Sequence, residues 1–590
     1  MLTCSYSYSN DKTLPLAYLR SGRTPTQRHH VRTIAQSEPA GRGATQQTPD
    51  AAQAVVAHDA ALHGFSARQG HCVRRARRRA RKGGSPGQPD AKKTHIDTYP
   101  QSAIAAAISL RSYLHVSFLS KSHRTVTVRF PDIELEHTWN LDELPWDAFN
   151  APGKKKHYYD LVTELDPELL AALQPHLDAV SPKVADSIRK IHHASACSFL
   201  YLFLSLASRK VSPCIYTLRS TIPLRAGLGS SASISVCISA ALLLQIRALS
   251  GPHQDQPSQE SELQIERINR WAFVGEMCIH GNPSGIDNTV SAGGKAVLYQ
   301  KQEAGKKPRI LPLHSFPELP LLLVNTRQSR STAVEVAKVA TLLQNHPTLT
   351  ENILDAIGQI TESAYKLITA PDFDPESHAS LKYLGDLVTI NHGLLVSLGV
   401  SHPRLERIRE LIDHTGIGWT KLTGAGGGGC AITIIKPRPT FSANGHANGH
   451  AHANGNGNGI HDASSTSSTS DSEPDTEPDS PLAASSVISS GTMLEHAILD
   501  SLEVKLENEG FEKFETTLAG DGVGVLWPAV LHNGNEEEGG EEIDQEKFLK
   551  AEGTEGIERL VGVKNGMRKN IERDVREGWK FWRPWETSEE

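Results

Sequence analysis

The sequence predicts an α+β fold, because runs typical of strands and longer runs typical of helices occur in the same chain. Short apolar runs next to Gly, Pro or polar residues predict strands, and longer runs with helical periodicity predict helices. The predicted strands are Thr125–Phe130, Cys214–Ile222, Ala296–Tyr299, Leu321–Asn325, Ala431–Ile435 and Val523–Trp527. The predicted helices are Pro182–Ser208, Ser233–Leu249, Gln264–Ile279, Thr332–Gln344, a run within Thr350–Thr369, and Leu381–Leu398.

Length, charge and cysteine usage limit the class of protein. The 590 residues could form several domains, but low-complexity tracts leave room for about two packed ones. The net charge of −6 argues against nucleic acid as a main partner, and no run is apolar enough to span a membrane. The seven cysteines are scattered without a Cys-x-x-Cys pair, which fits a reducing compartment. We therefore expect a cytoplasmic protein.

The first of three glycine-rich blocks spans Pro223–Ser233, between an extended apolar segment and a helical run. Its glycines allow a tight turn with accessible amides, and the start of a helix adds free N–H groups and a positive dipole end. The block lacks the Gly-Lys-Ser/Thr end of a Walker A loop, and a plain tight turn is an equally good alternative. The candidate phosphate-binding residues are Gly227, Leu228, Gly229, Ser230, Ser231 and Ala232.

A second block, Gly275–Asn288, contains two candidate functional carboxylates. Asp287 follows a turn rich in Pro and Gly, where a carboxylate can accept a proton from a substrate hydroxyl. Glu276 is near the end of a helical run, and its oxygens suit Mg²⁺. The alternatives are an Asp that bonds its own turn and a Glu on a solvated helix face. His280 has no second His at ligand spacing, so we interpret it as structural or substrate-side.

A third block, Lys421–Cys430, contains Gly424, Ala425 and Gly426 within an almost continuous run of glycines. It lies between a helical segment at Leu405–His414 and a predicted strand. Gly and Ala have no side chain that would block the approach of a ligand. Because apolar elements frame the run so closely, a site lined by backbone is a better interpretation than a flexible linker.

These three blocks, in this order, resemble those of the GHMP small-molecule kinases. The sequence His-Gly-Asn-Pro-Ser-Gly-Ile-Asp-Asn at 280–288 is similar to that of the members that phosphorylate mevalonate, and so is Asn-Thr-Arg-Gln-Ser-Arg-Ser-Thr at 325–332. The resemblance runs from about residue 103 to 436 and returns at 511–528. Each motif is moderately specific, whereas three in register are strong evidence.

The resemblance implies a fold and a reaction. The fold would be the two-domain GHMP kinase fold, with an S5-like N-terminal domain, a ferredoxin-like C-terminal domain and the active site between them. The reaction would be Mg²⁺-dependent transfer of the γ-phosphoryl group of ATP to the primary hydroxyl of mevalonate, in which positioning and charge neutralisation supply most of the rate. A homodimer is a further expectation from the family.

The resemblance also implies a role for each matching residue. The loop from Gly227 to Ala232 would wrap the ATP phosphates, and Ser231 and Glu276 would hold Mg²⁺. Asp287 would act as the catalytic base or position the substrate hydroxyl. The substrate side of the cleft would be formed by Ser284, Thr332, Gly424, Ala425 and Gly426.

The N-terminal part departs from the family pattern. GHMP kinases open with a strand and turn reading approximately Ala-Pro-Gly-Lys-Val, whose lysine points at the phosphates, and then Gly-Glu-His-Ala-Val-Val. This chain has no such segment, and the residues before Ala103 are rich in Arg, Gln, Ser and Pro. We expect the chain as written to be poorly stable and nearly inactive, because a missing strand leaves backbone groups unpaired.

The arginine-rich run Ser66–Lys82 has an explanation other than a nucleic-acid patch. Read one base later with permitted codons, it encodes Ser-Ala-Pro-Gly-Lys-Val-Ile-Val-Phe-Gly-Glu-His-Ala-Val-Val-His-Gly-Lys, the missing motif. The stretch Gly83–Gln101 then resembles a translated intron that restores the frame. We therefore interpret residues 1–102 as a disordered, mistranslated N-terminus with a retained intron. The alternatives are a genuine isoform without the lysine and, less favoured, a mitochondrial transit peptide.

The predicted organisation has an N-terminal, ATP-binding domain at 103–320 and a C-terminal domain at 321–436 and 491–532. Residues 437–490, rich in Asn, Gly, His and Ser, are predicted to be a disordered insertion. Residues 533–590 form an acidic linker and an aromatic-basic tail. We expect the end of this tail to dock on the domain or on a partner.

Two other functions remain open. One is a catalytically dead small-molecule sensor on the same fold, which the loss of the lysine favours only if the N-terminus is genuine. Retention of Ser231, Glu276 and Asp287 argues against it. The other is a GHMP kinase for another small alcohol such as galactose, although such kinases usually have a different sequence around the base.

Overall fold

The structure, a computed structural model, describes residues 54–66, 102–436, 497–533, 541–561 and 576–584, apart from 225, 254, 301, 303–307, 330 and 528. It gives the backbone alone for 54–66, 333, 532, 533, 541, 576 and 577. The predicted insertion at 437–490 and the arginine-rich residues 67–82 lie outside the described residues.

The N-terminal half contains seven described strands and six described helices. The strands are β1 (Ala54–Ser66), β2 (Ser102–Phe118), β3 (Thr125–Phe130), β4 (Leu135–Asn140), β5 (Cys214–Ser220), β6 (Ala296–Gln300) and β7 (Arg309–Leu313). The helices are α1 (Trp146–Asn150), α2 (Pro167–Asp178), α3 (Asp186–Leu206), α4 (Ser230–Gln245), α5 (Ser258–His280) and α6 (Ile286–Gly293).

The rest of the described chain continues the same sheet and adds a smaller one. Its strands are β8 (Leu319–Asn325), β9 (Gly418–Leu422), β10 (Cys430–Ile435), β11 (Glu512–Leu518), β12 (Gly524–Leu526), β13 (Val530–Asn533), β14 (Glu541–Glu542), β15 (Arg576–Glu577) and β16 (Trp579–Phe581). Its helices are α7 (Thr332–Asn345), α8 (Pro347–Ile368), α9 (His378–Ser397), α10 (Pro403–Thr415), α11 (497–508), α12 (Gln545–Lys550) and α13 (Gly553–Val561).

Strand β2 is the centre of the N-terminal half, and its residues are buried almost throughout. A strand buried on both faces needs a continuous apolar run rather than an alternating one, and the Ala- and Ile-rich sequence from Ala103 to Ile108 supplies it. β2 pairs antiparallel with β1, β5 and β6. Apolar side chains of α3, α4 and α5 form one core with Leu114 and Val116 of this strand.

Strand β1 differs from the expectation for the N-terminus. The backbone of Ala54–Ser66 pairs with β2 and with β12, although the sequence analysis treated residues 1–102 as disordered and expected the neighbouring strand to be missing. Antiparallel pairing is made by backbone groups, so a segment without the family motif can supply it. The register shifts twice, between Asp59 and Ala60 and between His63 and Phe65.

The C-terminal half has the strand and helix order of a ferredoxin-like domain, as expected. The chain runs from β8 through helices to the β9–β10 hairpin, then through α11 to β11. In the sheet the order is β11-β8-β10-β9, which places the last strand beside the first. β8 alternates its contacts: Leu321 and Leu323 join one apolar cluster and Leu322 and Val324 another. Helices therefore cover both faces of this strand.

The described residues after β11 return to the N-terminal half and pack against it. β12 pairs with β1, and β16 pairs with β12. Trp582 is fully buried, and its Nε1 donates to Oε1 of Gln264 at 3.0 Å. Arg583 donates from Nη2 to Oδ2 of Asp521 at 2.8 Å. The expectation that the aromatic-basic end docks on the domain is therefore confirmed.

The predicted elements are confirmed with boundary shifts of a few residues, but the structure also has elements that were not predicted. β3 spans Thr125–Phe130 as predicted, whereas α4 begins at Ser230 instead of Ser233. The unpredicted α6 contains Asp287 in its first turn, so this residue is helical and not part of a loop. No helix in the described residues is long and apolar enough to cross a membrane.

Candidate active site

The first glycine-rich block forms the turn between β5 and α4. Gly227 and Gly229 have φ values of 77° and 88°, a left-handed backbone that residues with a side chain rarely adopt. Leu228 and Ala232 are buried, so their side chains anchor the turn to the protein interior. Ser230 and Ser231 are half-buried in the first turn of α4, where the N–H groups have no partner within the helix. The block therefore has the geometry of an anion-binding helix N-terminus.

Gly275 brings α5 close to α4. A Cβ at this position would lie 2.8 Å from Oγ of Ser235 and 3.0 Å from Oγ of Ser198, so a side chain does not fit between the helices. The close approach places the next residue, Glu276, beside Ser231. The absence of a side chain at Gly275 therefore permits the short distance between α4 and α5 that brings Glu276 to Ser231.

The carboxyl group of Glu276 is almost completely buried, with 1 % of the residue exposed. Burial raises the pKa of Glu276 to about 8, the nearby charge of Asp287 adds to this rise, and a hydrogen bond with Ser231 opposes it. Its Oε1 has no hydrogen-bond partner among the described residues. A buried, unpartnered carboxylate oxygen is costly unless a cation or donor joins it, so this atom marks a ligand position.

Asp287 is 4 % exposed and lies in the first turn of α6, after the N-cap residue Gly285. Nδ2 of Asn288 donates to Oδ1 of Asn269 at 2.5 Å and joins α6 to α5. Ser284 accepts from the backbone N–H of Ile286 at 3.4 Å. Hydrogen bonds of residues on both sides of Asp287 thus hold the backbone at this position.

Four side chains meet where α4, α5 and α6 come together. Oγ of Ser231 is 3.0 Å from Nε2 of His280, Glu276 contacts Ser231, and the charge of Asp287 acts on Glu276. The structure therefore brings together the three residues that were predicted to bind metal and to act as base. It also places His280 directly beside Ser231. The sequence did not predict this contact, because His280 has no second His at metal-ligand spacing.

The third block lies in the C-terminal half, where its glycines are tightly packed. A Cβ on Gly426 would overlap the backbone carbonyl of Val400, and one on Gly427 would overlap the carboxylate of Glu335. Gly427 N donates to Val400 O at 2.8 Å. Gly424, Ala425 and Gly426 are buried, and Thr332 is half-buried at the start of α7. Packing within the C-terminal half thus explains why this block consists of glycines. That Thr332, Gly424, Ala425 and Gly426 lie on the substrate side stays a prediction.

Comparison with known proteins identifies the family. The family model "GHMP kinases N terminal domain" matches residues 196–295, and "GHMP kinases C terminal" matches residues 377–442. The mevalonate kinase of Gibberella zeae is 57 % identical over 501 residues, which cover 85 % of this chain and 87 % of that protein. The mevalonate kinase of Homo sapiens is 32 % identical over 359 residues, 60 % of this chain and 85 % of the human protein.

The chain belongs to the mevalonate kinase family. Kinases of this family use ATP, so the glycine-rich turn at Gly227–Ala232 lies in a protein with a triphosphate substrate. Among solved structures, the mevalonate kinase of Methanococcus jannaschii covers 79 % of this chain and 98 % of its own, with a TM-score of 0.45 and 16 % identity.

A cleft between the two halves of this kinase adjoins the anion-binding turn. Its cavity has a volume of about 560 Å³ and is lined from the N-terminal half by residues 219–224 and from the C-terminal half by Asn325, 327–329 and Phe514. The resemblance implied a site between the two domains, and residues of two motifs line this cleft: Pro223 and Leu224 from the first block, and Asn325 and 327–329 from the segment at 325–332. Sequence reasoning missed only the walls that come from distant parts of the chain, such as Phe514.

Proposed function

We propose that the chain transfers the γ-phosphoryl group of ATP to the primary hydroxyl of mevalonate, with Asp287 as the base. The observation that carries this proposal is the buried Asp287 beside the Ser231–Glu276 pair, close to the anion-binding helix N-terminus. The relatives at 57 % and 58 % identity are mevalonate kinases, which supports mevalonate over galactose and catalysis over a sensor role.

Asp287 acts on the proton of the substrate hydroxyl. The hydroxyl oxygen forms the new bond to the γ-phosphorus, the bond from that phosphorus to the β,γ-bridging oxygen breaks, and ADP leaves with the electron pair. The proton passes to the carboxylate of Asp287 or is held by it during transfer. Because the turn before Asp287 is fixed, the carboxylate needs little reorganisation when the substrate binds.

The turn from Gly227 to Ala232 holds the triphosphate. Its backbone N–H groups and the positive end of α4 face a negative ligand, and the hydroxyls of Ser230 and Ser231 add donors. On the acceptor side we place Ser284, which precedes Asp287 on the same turn, and Thr332. The buried backbone of Gly424, Ala425 and Gly426 shapes the cleft on the C-terminal side.

Ser231 and Glu276 fit a Mg²⁺ ion. Both offer oxygen, the donor that Mg²⁺ prefers, and Oε1 of Glu276 has no hydrogen-bond partner among the described residues. No group of three or more His, Cys, Asp or Glu side chains in the described ranges is arranged to hold a metal, which agrees with an ion that takes its other ligands from phosphate and water. When bound, Mg²⁺ neutralises charge on the phosphates during transfer.

The test measures ATP consumption with mevalonate for two proteins, the chain as written and a chain in which the reconstructed Ser-Ala-Pro-Gly-Lys segment is joined to Ala103. We expect activity in the rebuilt chain, and a loss of about a thousandfold or more in kcat when Asp287 is changed to Asn in it. Equal activity in the chain as written would refute the interpretation of residues 1–102 as a mistranslated N-terminus. No phosphorylation of mevalonate by either protein would refute the proposed function.

Two further expectations belong to the proposal. We place the protein in the cytoplasm, which agrees with the five described cysteines, all of them free thiols. We also expect a homodimer, as the family resemblance implies. Light scattering of the purified chain measures its mass directly, and a mass of one chain would contradict the dimer.

A further inference from the structure

Two thiols meet between α3 and α5. Cys197 of α3 and Cys278 of α5 are hydrogen-bonded to each other, and both are free and half-buried. The other cysteines in the described ranges, Cys214, Cys237 and Cys430, are buried. Within the part of the chain that the structure describes, Cys197 and Cys278 are therefore the two thiols that solvent can reach.

Helices α3 and α5 approach each other closely beside this pair. A Cβ at Gly275, three residues before Cys278, would lie 3.0 Å from Oγ of Ser198, the neighbour of Cys197. Positions three apart on a helix share a face, so Gly275 and Cys278 both lie on the side of α5 that packs on α3. A disulfide joins sulfur atoms at about 2 Å. Because the two sulfur atoms are already in hydrogen-bond contact, this bond requires a shorter contact and no rearrangement of the fold.

The same turn of α5 carries two groups of the candidate active site. Glu276 is hydrogen-bonded to Ser231, and Nε2 of His280 lies 3.0 Å from the Ser231 oxygen. Residues four apart share a helix face, whereas Cys278, midway between these two, lies about 200° around the helix from each. A bond at Cys278 would therefore pull this turn toward α3 and change the positions of Glu276 and His280 relative to Ser231.

We propose that Cys197 and Cys278 form a redox modification site, at which a peroxide converts the two thiols into a disulfide and thereby weakens Mg²⁺-dependent nucleotide binding. The contact between the thiols supplies the geometry for the bond, and the shared turn of α5 connects the bond to the site. The effect on nucleotide binding rests on the proposed function, which gives Ser231 and Glu276 their role. The formation of the disulfide does not depend on that function.

The first step takes place at Cys197. The hydrogen bond with Cys278 lowers the pKa of the Cys197 thiol, which favours the reactive thiolate. The thiolate sulfur attacks one oxygen of hydrogen peroxide, the O–O bond breaks, and the departing hydroxide takes up a proton and becomes water. The sulfur of Cys197 is oxidised to a sulfenic acid, and the peroxide is reduced.

The second step takes place at Cys278. Its sulfur attacks the sulfur of Cys197 and gives up its proton, the S–O bond of the sulfenic acid breaks, and the hydroxide leaves with that proton as water. In sum, two thiols and one hydrogen peroxide give one disulfide and two water molecules. A dithiol reductant restores both thiols by thiol–disulfide exchange, so the modification is reversible in a reducing compartment.

The test detects the bond directly in the full chain. The chain as written and the rebuilt chain are treated with equimolar hydrogen peroxide, digested without reductant, and searched by mass spectrometry for the peptide that links Cys197 to Cys278. The variants are Cys278→Ser and Cys197→Ser. The matched control is Cys214→Ser, which changes a buried cysteine whose thiol donates to the carbonyl oxygen of Ser212. Thermal unfolding checks the fold of each variant.

The effect on the site is measured by calorimetry with ADP on the rebuilt chain, in Mg²⁺ and in EDTA. Each titration is made before peroxide, after peroxide, and again after dithiothreitol. We expect the linked peptide in the wild type and in Cys214→Ser, and an affinity for ADP in Mg²⁺ that falls about tenfold on oxidation and returns with dithiothreitol. Cys278→Ser and Cys197→Ser should keep their affinity in peroxide.

Absence of the linked peptide from the folded, peroxide-treated wild type would overturn the inference. Unchanged ADP affinity in a protein that carries the disulfide would overturn its effect on the site, and so would an equal loss of affinity in Cys278→Ser. A rebuilt chain that forms the disulfide with the expected effect on ADP, but phosphorylates no mevalonate when reduced, refutes the proposed function alone.

Discussion

The hydroxyl oxygen of Ser231 lies 3.0 Å from Nε2 of His280, across the junction of α4 and α5. Ser231 has one hydroxyl hydrogen, which is donated to Glu276, so Nε2–H of His280 is the donor to the Ser231 oxygen. We therefore expect His280 to position Ser231.

His280→Ala should weaken the effect of Mg²⁺ on ADP binding about tenfold, because groups that orient a metal ligand contribute on that scale. The measurement is an ADP titration at a series of Mg²⁺ concentrations, with ADP in EDTA as the reference. The control is His253→Ala, which removes an exposed His outside the site. An equal loss in EDTA would show that His280 acts on the nucleotide and not through Ser231.

Gly275→Ala should separate α5 from α4, because the new Cβ would lie 2.8 Å from Oγ of Ser235. We expect a destabilisation of about 1–2 kcal/mol together with weaker Mg²⁺-dependent ADP binding, since Glu276 moves with the helix. Urea unfolding measures the first and calorimetry the second. Gly358→Ala is the control: nothing lies within 4 Å of its added Cβ, so it should be neutral or slightly stabilising.

Glu276→Gln should make the metal-free protein more stable at alkaline pH. Burial raises the pKa of Glu276 to about 8, so as the pH rises this carboxyl loses its proton in the unfolded chain before it does so in the folded protein. The wild-type protein therefore loses stability as the pH rises from about 4.5 to 8. The Gln variant lacks this loss, and we expect it to gain on the order of 5 kcal/mol at pH 9 in EDTA, at about 1.4 kcal/mol per unit of pKa.

Urea unfolding at pH 5, 7 and 9 tests the Glu276 prediction. Glu262→Gln, an exposed position on the same helix, is the control and should follow the wild-type curve. Parallel curves for wild type and Glu276→Gln would show that the carboxyl is not held protonated. The Gln variant should also lose the Mg²⁺ dependence of ADP binding, because a neutral amide is a weaker Mg²⁺ ligand than a carboxylate.

His115 should make the docking of residues 541–561, which include α12 and α13, sensitive to acid. Burial lowers its pKa to about 4, and its Nε2 lies 3.1 Å from the carbonyl oxygen of Ile543, just before α12. The unfolded chain takes up a proton near the usual pKa of 6.5, so stability falls as the pH drops from 6.5 to 4. His115→Gln should flatten this part of the curve of unfolding free energy against pH. An unchanged slope would assign the acid sensitivity to other groups.

Local sequence was sufficient to predict the strands and helices whose apolar residues have a clear period and whose ends are marked by clear boundary residues. β3 and the helices around the motifs were predicted because apolar periodicity and glycine positions reflect local backbone preferences. β2 was not predicted, because an Ala-rich run that is buried on both faces has no period by which to separate strand from helix. The helix at Asp287 was also missed, since Pro and Gly before it indicate only a turn.

The residues of the candidate site could be predicted from the sequence, but the contacts that hold them together could not. The order of motifs identified Ser231, Glu276 and Asp287, which the fold brings together. The role of Gly275 depends on a contact with another helix, and the cleft bordered by α13 depends on segments more than 300 residues apart. Such relationships belong to tertiary packing and leave no local pattern.

Strand β11 lies between β2 and β8, yet it comes from the part of the chain that follows the predicted insertion. The fragment that starts at 497 also carries Leu502 and Leu506, both fully buried, and the docked Trp582. A polypeptide cut within 437–490 would therefore consist of two pieces that interlock by strand pairing and by a shared core. Expressed from separate genes, with the reconstructed Ser-Ala-Pro-Gly-Lys segment in the first, the pieces should assemble into one active kinase. The rebuilt protein is therefore suited to use as a split enzyme whose activity reports the meeting of two fused partners.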